Sequence, residues 1–290
     1  MIFRAGLATL ALTLVSARPA PPHPPDDELL APERLHAWCV VPFDARRRGP
    51  EARAAMLPEL GIRRLAYDWR AEHVPTFDAE VAALRAHGVE LVAWWFPPQT
   101  DGVARVILDC LRRHDLRIQL WVSLGDPAPG APAEEKIAAA AARLAPLADA
   151  AAEIGCTLGL YNHGGWFGEP ENQLRVLRAL NRPQVGLVYN FHHGHAHLDR
   201  FPAMWEAMRP HVLAVNLNGM ERPGDTRGRK ILTLGEGTEE VRMLRVIRDS
   251  GWRGPIGLLD HRMETDSAET LRAELAGLQR VREKLASGVE

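Results

Sequence analysis

Histidine and asparagine recur at matching places late in this 290-residue chain. The segments TLGLYNH (157–163), QVGLVYNF (184–191) followed by His192 and His193, HVLAVNLN (211–218) and PIGLLDH (255–261) each close an apolar run on amide or imidazole groups. An imidazole titrates near neutrality and can give or take a proton there. Several together can also hold a borderline metal such as zinc. His163, His193 and His261 are the candidates for either role. If these runs are strands, alternation puts 161 with 163, 216 with 218, and 259 with 261 on common faces. The three imidazoles can then ring one pocket. Asp68 ends an earlier run and is the best-placed inward carboxylate, with a salt bridge to Arg70 as its plain alternative. Glu169 follows a Gly-rich stretch and is either a carboxylate over the pocket or an anion at a helix start. Lys230 lies in the basic loop 219–232 and is a candidate to reach the pocket. His192, His195 and His197 extend His193 into an H-H-x-H-x-H tract, read as a loop with His195 as one extra pocket contact.

The aromatic content is lopsided, with 8 Trp against 3 Tyr. Trp69, Trp95, Trp121 and Trp166 offer flat faces that suit the C–H faces of a sugar ring. Tyr161, Asn162, Asn190, Asn216 and Asn218 offer uncharged donors and acceptors for hydroxyl groups. Together they suit a neutral carbohydrate. Trp94 and Trp95 are neighbours in one run and must point opposite ways, so one of them packs beneath helices.

Positioning these residues takes eight repeated units. Strands are predicted at 36–43, 63–69, 89–96, 117–124, 157–163, 184–191, 211–218 and 255–261. Helices are predicted at 50–60, 76–87, 102–114, 132–153, 169–180, 200–209, 237–250 and 267–286. Strand starts are 26 to 44 residues apart, the size of one βα unit with variable loops. Buried-type strands alternating with helices predict a parallel sheet, and eight units fit closure into a single (β/α)8 barrel. No G-x-G-x-x-G follows the first strand, which removes the dinucleotide-binding alternative. Barrels of this kind carry function at the C-terminal strand ends, where the candidate residues fall.

Met1 to Ala17 places one Arg before an apolar run and ends on Val15-Ser16-Ala17, the order of a signal peptide. Residues 18–32 read as a proline-rich linker, with five prolines in 18–27, and 33–290 as the barrel domain. This predicts a periplasmic or secreted protein. The balance of 35 basic and 37 acidic residues excludes a generally basic nucleic-acid binder. The spread of apolar residues excludes a polytopic membrane protein. Three scattered cysteines make no disulfide framework. The oligomeric state is left open.

The stretches GLYNHGGWFGEPENQ (159–173), VGLVYNFHHGHAHLDRFP (185–202) and LAVNLNGM (213–220) resemble the sugar phosphate isomerase/epimerase family. These are the xylose isomerase-like barrels, related to endonuclease IV. The resemblance covers about residues 36–286 and implies a TIM barrel in which a Glu, an Asp, a His and a Glu hold one divalent metal. Here those positions carry Tyr161, Asn190, Asn216 and Leu259, or Asp260 if the register slips by one. Amides and a phenol are poor ligands for a hard cation. The expectation is therefore that the inherited metal site is lost and no cofactor is assigned, with His163, His193 and His261 as the alternative metal ligands. The expected function is an exported isomerase, epimerase or lyase acting on a neutral sugar or keto-sugar, with His163 and His193 moving protons. The alternative is a non-catalytic carbohydrate-binding barrel.

Overall fold

The computed structural model describes residues 29–224 and 228–287. Residues 1–17, where the sequence predicts a signal peptide, and most of the proline-rich stretch lie outside them. The strands are β1 (Leu35–Trp38), β2 (Arg64–Tyr67), β3 (Glu90–Trp95), β4 (Gln119–Val122), β5 (Thr157–Tyr161), β6 (Val185–Asn190), β7 (Val212–Leu217) and β8 (Ile256–Leu259). All pair in parallel and in sequence, and β8 returns to β1, closing the barrel. The helices are α1 (Pro50–Glu59), α2 (Phe77–Ala86), α3 (Val103–Arg113), α4 (Ala133–Glu153), a short α5 (Gly165–Gly168), α6 (Pro170–Leu180), α7 (Phe201–Met208), α8 (Glu240–Asp249) and α9 (Ser267–Ser287). Apart from α5, each matches a predicted helix. Among the described residues, no helix is long and apolar enough to cross a membrane.

Sequence periodicity explains the packing. In α3, Ala104, Ile107, Leu108 and Leu111 are buried at helical spacing, one face on the barrel. Pro170 begins α6, where a missing N–H costs nothing, and Asn181 ends it in the left-handed conformation. Arg53 of α1 and Glu80 of α2 form a buried bidentate pair at 2.9 and 3.0 Å that joins the two helices. The linker boundary needs correcting. Leu29 and Leu30 are buried in the core, and Arg282 of α9 donates a hydrogen bond to the Leu30 carbonyl. The folded domain therefore includes at least residues 29–32.

Period-two alternation sorts the strands into two faces. Outward residues such as Tyr67, Trp94 and Tyr189 join the main core under the helices. Trp38, Ala66, Ala93, Trp121, Tyr161, Val188, Ala214 and Leu259 fill the barrel interior. The large rings fit because glycine faces them. A Cβ on Gly159 would lie 2.7 Å from Val188 and 3.0 Å from the Trp121 ring. A Cβ on Gly257 would lie 1.9 Å from Asn216 Oδ1. Cys110 and Cys156 are buried, Cys39 is half-buried, and all three are free thiols.

Candidate active site

The strands stop short of their predicted ends, so the candidate side chains stand beyond the ladder around a cavity. Its volume is about 510 Å³. Trp38, Trp69, Trp95, Tyr161 and Phe43 supply aromatic wall, and His163, His192, His193 and His261 supply a run of imidazoles. Asp68, Arg70, Cys39, Asn190 and Leu259 also line it.

The floor is a hydrogen-bonded set of neutral groups. The Tyr161 hydroxyl oxygen accepts from Trp38 Nε1 at 2.9 Å and from Asn190 Nδ2. Below it, Asn216 Oδ1 accepts from His36 Nε2 at 3.0 Å. The Trp121 ring packs edge-on to Trp38, 4.7 Å between centroids, and donates to Gln119. Burial pulls the His36 pKa down to about 4.

The imidazoles form a row. Ring centroids are 4.6 Å apart for His163–His193, 4.6 Å for His193–His192 and 4.9 Å for His192–His261. Phe43 meets His261 edge-on at 4.2 Å. Burial and then the neighbouring His192 and His163 push His193 down to about 2. Burial and then His261 push His192 down to about 3. His163 is lowered by burial and by the Lys230 charge, and His261 by burial and by Arg70. At neutral pH the row is a set of uncharged imidazoles.

Asp68 behaves in the opposite sense. One carboxylate oxygen accepts from the Val41 N–H at 3.3 Å, and the other has no protein partner. Burial raises its pKa to about 8, outweighing the Arg70 charge and the Val41 hydrogen bond. Among the described residues Asp68 makes no salt bridge within 4.0 Å, so the alternative pairing with Arg70 is not seen. Arg70 instead donates to the Trp69 carbonyl at 2.8 Å, its guanidinium 5.6 Å from the Phe43 ring centroid.

Of the sequence candidates, His163, His193, His261, Asp68, Trp69, Trp95, Tyr161 and Asn190 meet at this cavity. Others are placed elsewhere. Asn162 faces away from the barrel interior and clamps β5 to β6, accepting from the Asn190 N–H at 2.7 Å and donating to its carbonyl. Asn218 donates to the Gly219 and Lys230 carbonyls and holds a loop. Asn216 and Trp121 point inward but lie beneath the cavity. Trp166 packs on the core with Lys136 above its ring. Glu169 sits at the start of α6, outside the cavity, with its carboxylate paired with Arg200 and 3.4 Å from His197 and not capping the helix. His195 lies outside the cavity, its Nδ1 3.3 Å from the His192 carbonyl. Lys230 does not line the cavity, but its charge reaches all four imidazoles. Sequence reasoning missed His192, Cys39 and Arg70. His192 turns inward because Phe191–His193 is a 3-10 turn, capped by Asn190 Oδ1 accepting from the His192 N–H at 3.0 Å. Strand alternation no longer applies there.

The model of the xylose isomerase-like TIM barrel matches residues 61–281. The chain belongs to that family. Solved xylose isomerase-like barrels resemble it along nearly their whole lengths. The 3-keto-D-glucoside 4-epimerase from E. coli superimposes with a TM-score of 0.63 at 14% identity, covering 85% of this chain and 98% of its own. The D-psicose 3-epimerase from Clostridium cellulolyticum H10, solved with D-tagatose, gives 0.62 at 11% identity, covering 87% and 99%. The IOLI protein, solved with a zinc atom, gives 0.67 at 13% identity, covering 87% and 99%. At these identities the likeness establishes the fold. No curated protein sequence matches the chain significantly.

The divalent ion that the family resemblance implies does not fit the residues present. Leu259 faces the cavity, so the strand-eight position is an alkyl group, while Asp260 faces outward and accepts from Ser267. Tyr161, Asn190 and Asn216 offer no carboxylate, and the Tyr161 and Asn216 oxygens are already engaged. The three histidines are not preformed as a ligand set either. Among the described residues, one group of three His, Cys, Asp or Glu ligand atoms lies within 4.8 Å of one another, namely Asp78, Cys110 and His114. That group lies outside the barrel, and Arg113 already pairs with Asp78 at 2.7 Å.

Proposed function

We propose that this barrel is a sugar-active enzyme of isomerase, epimerase or lyase type that moves protons on a keto-sugar with side chains alone. The observation that carries the reading is the opposition across one cavity of a buried carboxyl raised to about 8 and a row of lowered imidazoles. Two titrating environments pushed apart define an acid and a base at the same pH. Near pH 7, Asp68 holds its proton and His163 is neutral. The aromatic walls and a volume of about 510 Å³ suit a monosaccharide unit.

In this scheme the C–H bond beside the ketone breaks. Its proton passes to the neutral His163, and the electron pair moves to the carbonyl oxygen, which Asp68 protonates. The product is an enediol. Protonation of the carbon by solvent on the opposite face, with Asp68 taking back the enediol proton and His163 passing its own proton to solvent, inverts the carbon. Return of the His163 proton at the neighbouring carbon, with the other enediol hydroxyl losing its proton, moves the carbonyl. Departure of a β-substituent with the His163 proton, as Asp68 takes back the enol proton, completes an elimination. His193 and His261 stay uncharged and hydrogen-bond the sugar's oxygens. The same proposal keeps the protein exported, on the strength of the Met1–Ala17 segment.

Proton NMR in D2O with 3-keto-glucosides and free keto-sugars tests this for all three reaction types. Deuterium should appear on carbon in an epimerisation or isomerisation, and an enone with release of the β-substituent should appear in an elimination. Tight sugar binding without either would make the protein a carbohydrate-binding barrel instead.

A further inference from the structure

Charge around the cavity is unbalanced. Among the described residues, Arg70 and Asp68 are the only ones of formal charge that line it besides the histidines. The histidines are lowered and Asp68 is raised, so at neutral pH the one full charge on the lining is the Arg70 guanidinium. Lys230 adds a second positive charge from the side of the imidazole row. Among the described residues, neither cation has an ion-pair partner within 4.0 Å, although the surface elsewhere is rich in Arg–carboxylate pairs. One Arg70 N–H is fixed on the Trp69 carbonyl and the guanidinium is held near Phe43, so its remaining donors form a planar fork at the cavity mouth.

A neutral sugar leaves that field unmatched. Resting on the sugar reading above, we infer that the substrate carries a carboxylate, seated on Arg70 at the mouth with the sugar ring against Trp69 and Trp95. A flat bidentate carboxylate matches a single guanidinium fork better than a tetrahedral phosphate, which is better served by a nest of backbone N–H groups. The substrate class is thus an acidic keto-sugar of the uronate kind, in place of the neutral sugar expected from the amide-rich strand ends. The imidazole row stays neutral beside such a ligand and donates to its hydroxyls.

Calorimetric titration of the intact protein with matched pairs tests the inference: D-glucuronate against D-glucose, D-galacturonate against D-galactose, and D-glucose 6-phosphate as a separate arm. At least one uronate should bind about tenfold or more tightly than its parent, the scale of one well-formed charge-assisted pair. Added salt should weaken that uronate and not the parent. Arg70→Gln should erase the ratio, with an unchanged melting temperature showing that the fold is intact. Equal affinities, or a ratio that survives Arg70→Gln, would overturn the carboxylate assignment and leave the sugar reading standing. Tighter binding of the 6-phosphate than of either uronate would also overturn it. No binding by any of the five compounds would count against the sugar reading itself, and the inference with it.

Discussion

The rings of His163 and His193 stand 4.6 Å apart, tilted by 46°, where β5 and β6 end side by side. Through His192 the same row reaches His261 beyond β8. Crowded imidazoles in a partly buried wall cannot share positive charge, so each discourages protonation of the next. The sequence pairs His163 and His193 as the groups that move protons. In the scheme proposed above both stay on the neutral side, His163 is the base, and Asp68 is the proton donor.

Replacing His163 with Gln removes the base but keeps a polar side chain. Exchange on a keto-sugar should fall by about 10²–10⁴, the usual worth of general acid–base catalysis. His193→Gln should cost less, because Gln still donates and accepts hydrogen bonds as a neutral imidazole does. His87→Gln is the control. It lies past the end of α2, 2.6 Å from Glu51 on the surface, and should retain full exchange. Equal, small losses in all three would return the pocket histidines to a packing role.

Asp68→Asn should separate activity from stability. A carboxyl raised to about 8 in the fold ionises near 4 once unfolded. Between those values the native state holds the extra proton, so this group's contribution to stability falls as pH rises from about 4 to 8. The amide removes that slope. The variant should melt well above the parent at pH 8, since a pKa displaced from near 4 to about 8 corresponds to an upper limit of roughly 5 kcal/mol. It should gain little at pH 4 and lose most exchange at pH 7. Melting curves at both pH values check the sign, and a larger gain at pH 4 would contradict the assignment.

The Arg53–Glu80 pair ties α1 to α2 with almost no solvent contact. Arg53→Met leaves Glu80 buried and unpaired, a change that typically costs about 3–5 kcal/mol. Arg53→Met with Glu80→Leu should recover much of that loss. Denaturant unfolding of the single and double variants measures the difference.

The barrel was legible because each strand is a short apolar run and each helix keeps one apolar face, as in ELVAWW (90–95) and VARVILDCLRR (103–113). Alternation also puts Tyr161 with His163 and Leu259 with His261, and all four line the cavity. It misled where the chain leaves the strand. Asn218 continues the inward phase of β7 on paper, yet its amide turns to the Lys230 carbonyl. Asn162 lies in the outward phase, and only its hydrogen-bonding chemistry had suggested a sugar contact. His192 was hidden because a 3-10 turn advances about 120° per residue, so two successive histidines can line one wall. The depth of Trp121 and Asn216 within the barrel depends on register between strands, such as Trp121 beside Gly159, which no single strand encodes. Leu29 and Leu30 were read with the prolines before them, although their burial needs α9 from the far end of the chain.

The central claim is proton transfer by side chains in a barrel where the family resemblance assigns the metal positions to Tyr161, Asn190, Asn216 and Leu259. It is tested most directly by the rate of deuterium incorporation into a keto-sugar before and after exhaustive chelation, with metal content measured on the same sample. The account predicts an unchanged rate in metal-free protein and loss of exchange in Asp68→Asn. Exchange that disappears on chelation and returns with magnesium, manganese or zinc would contradict it.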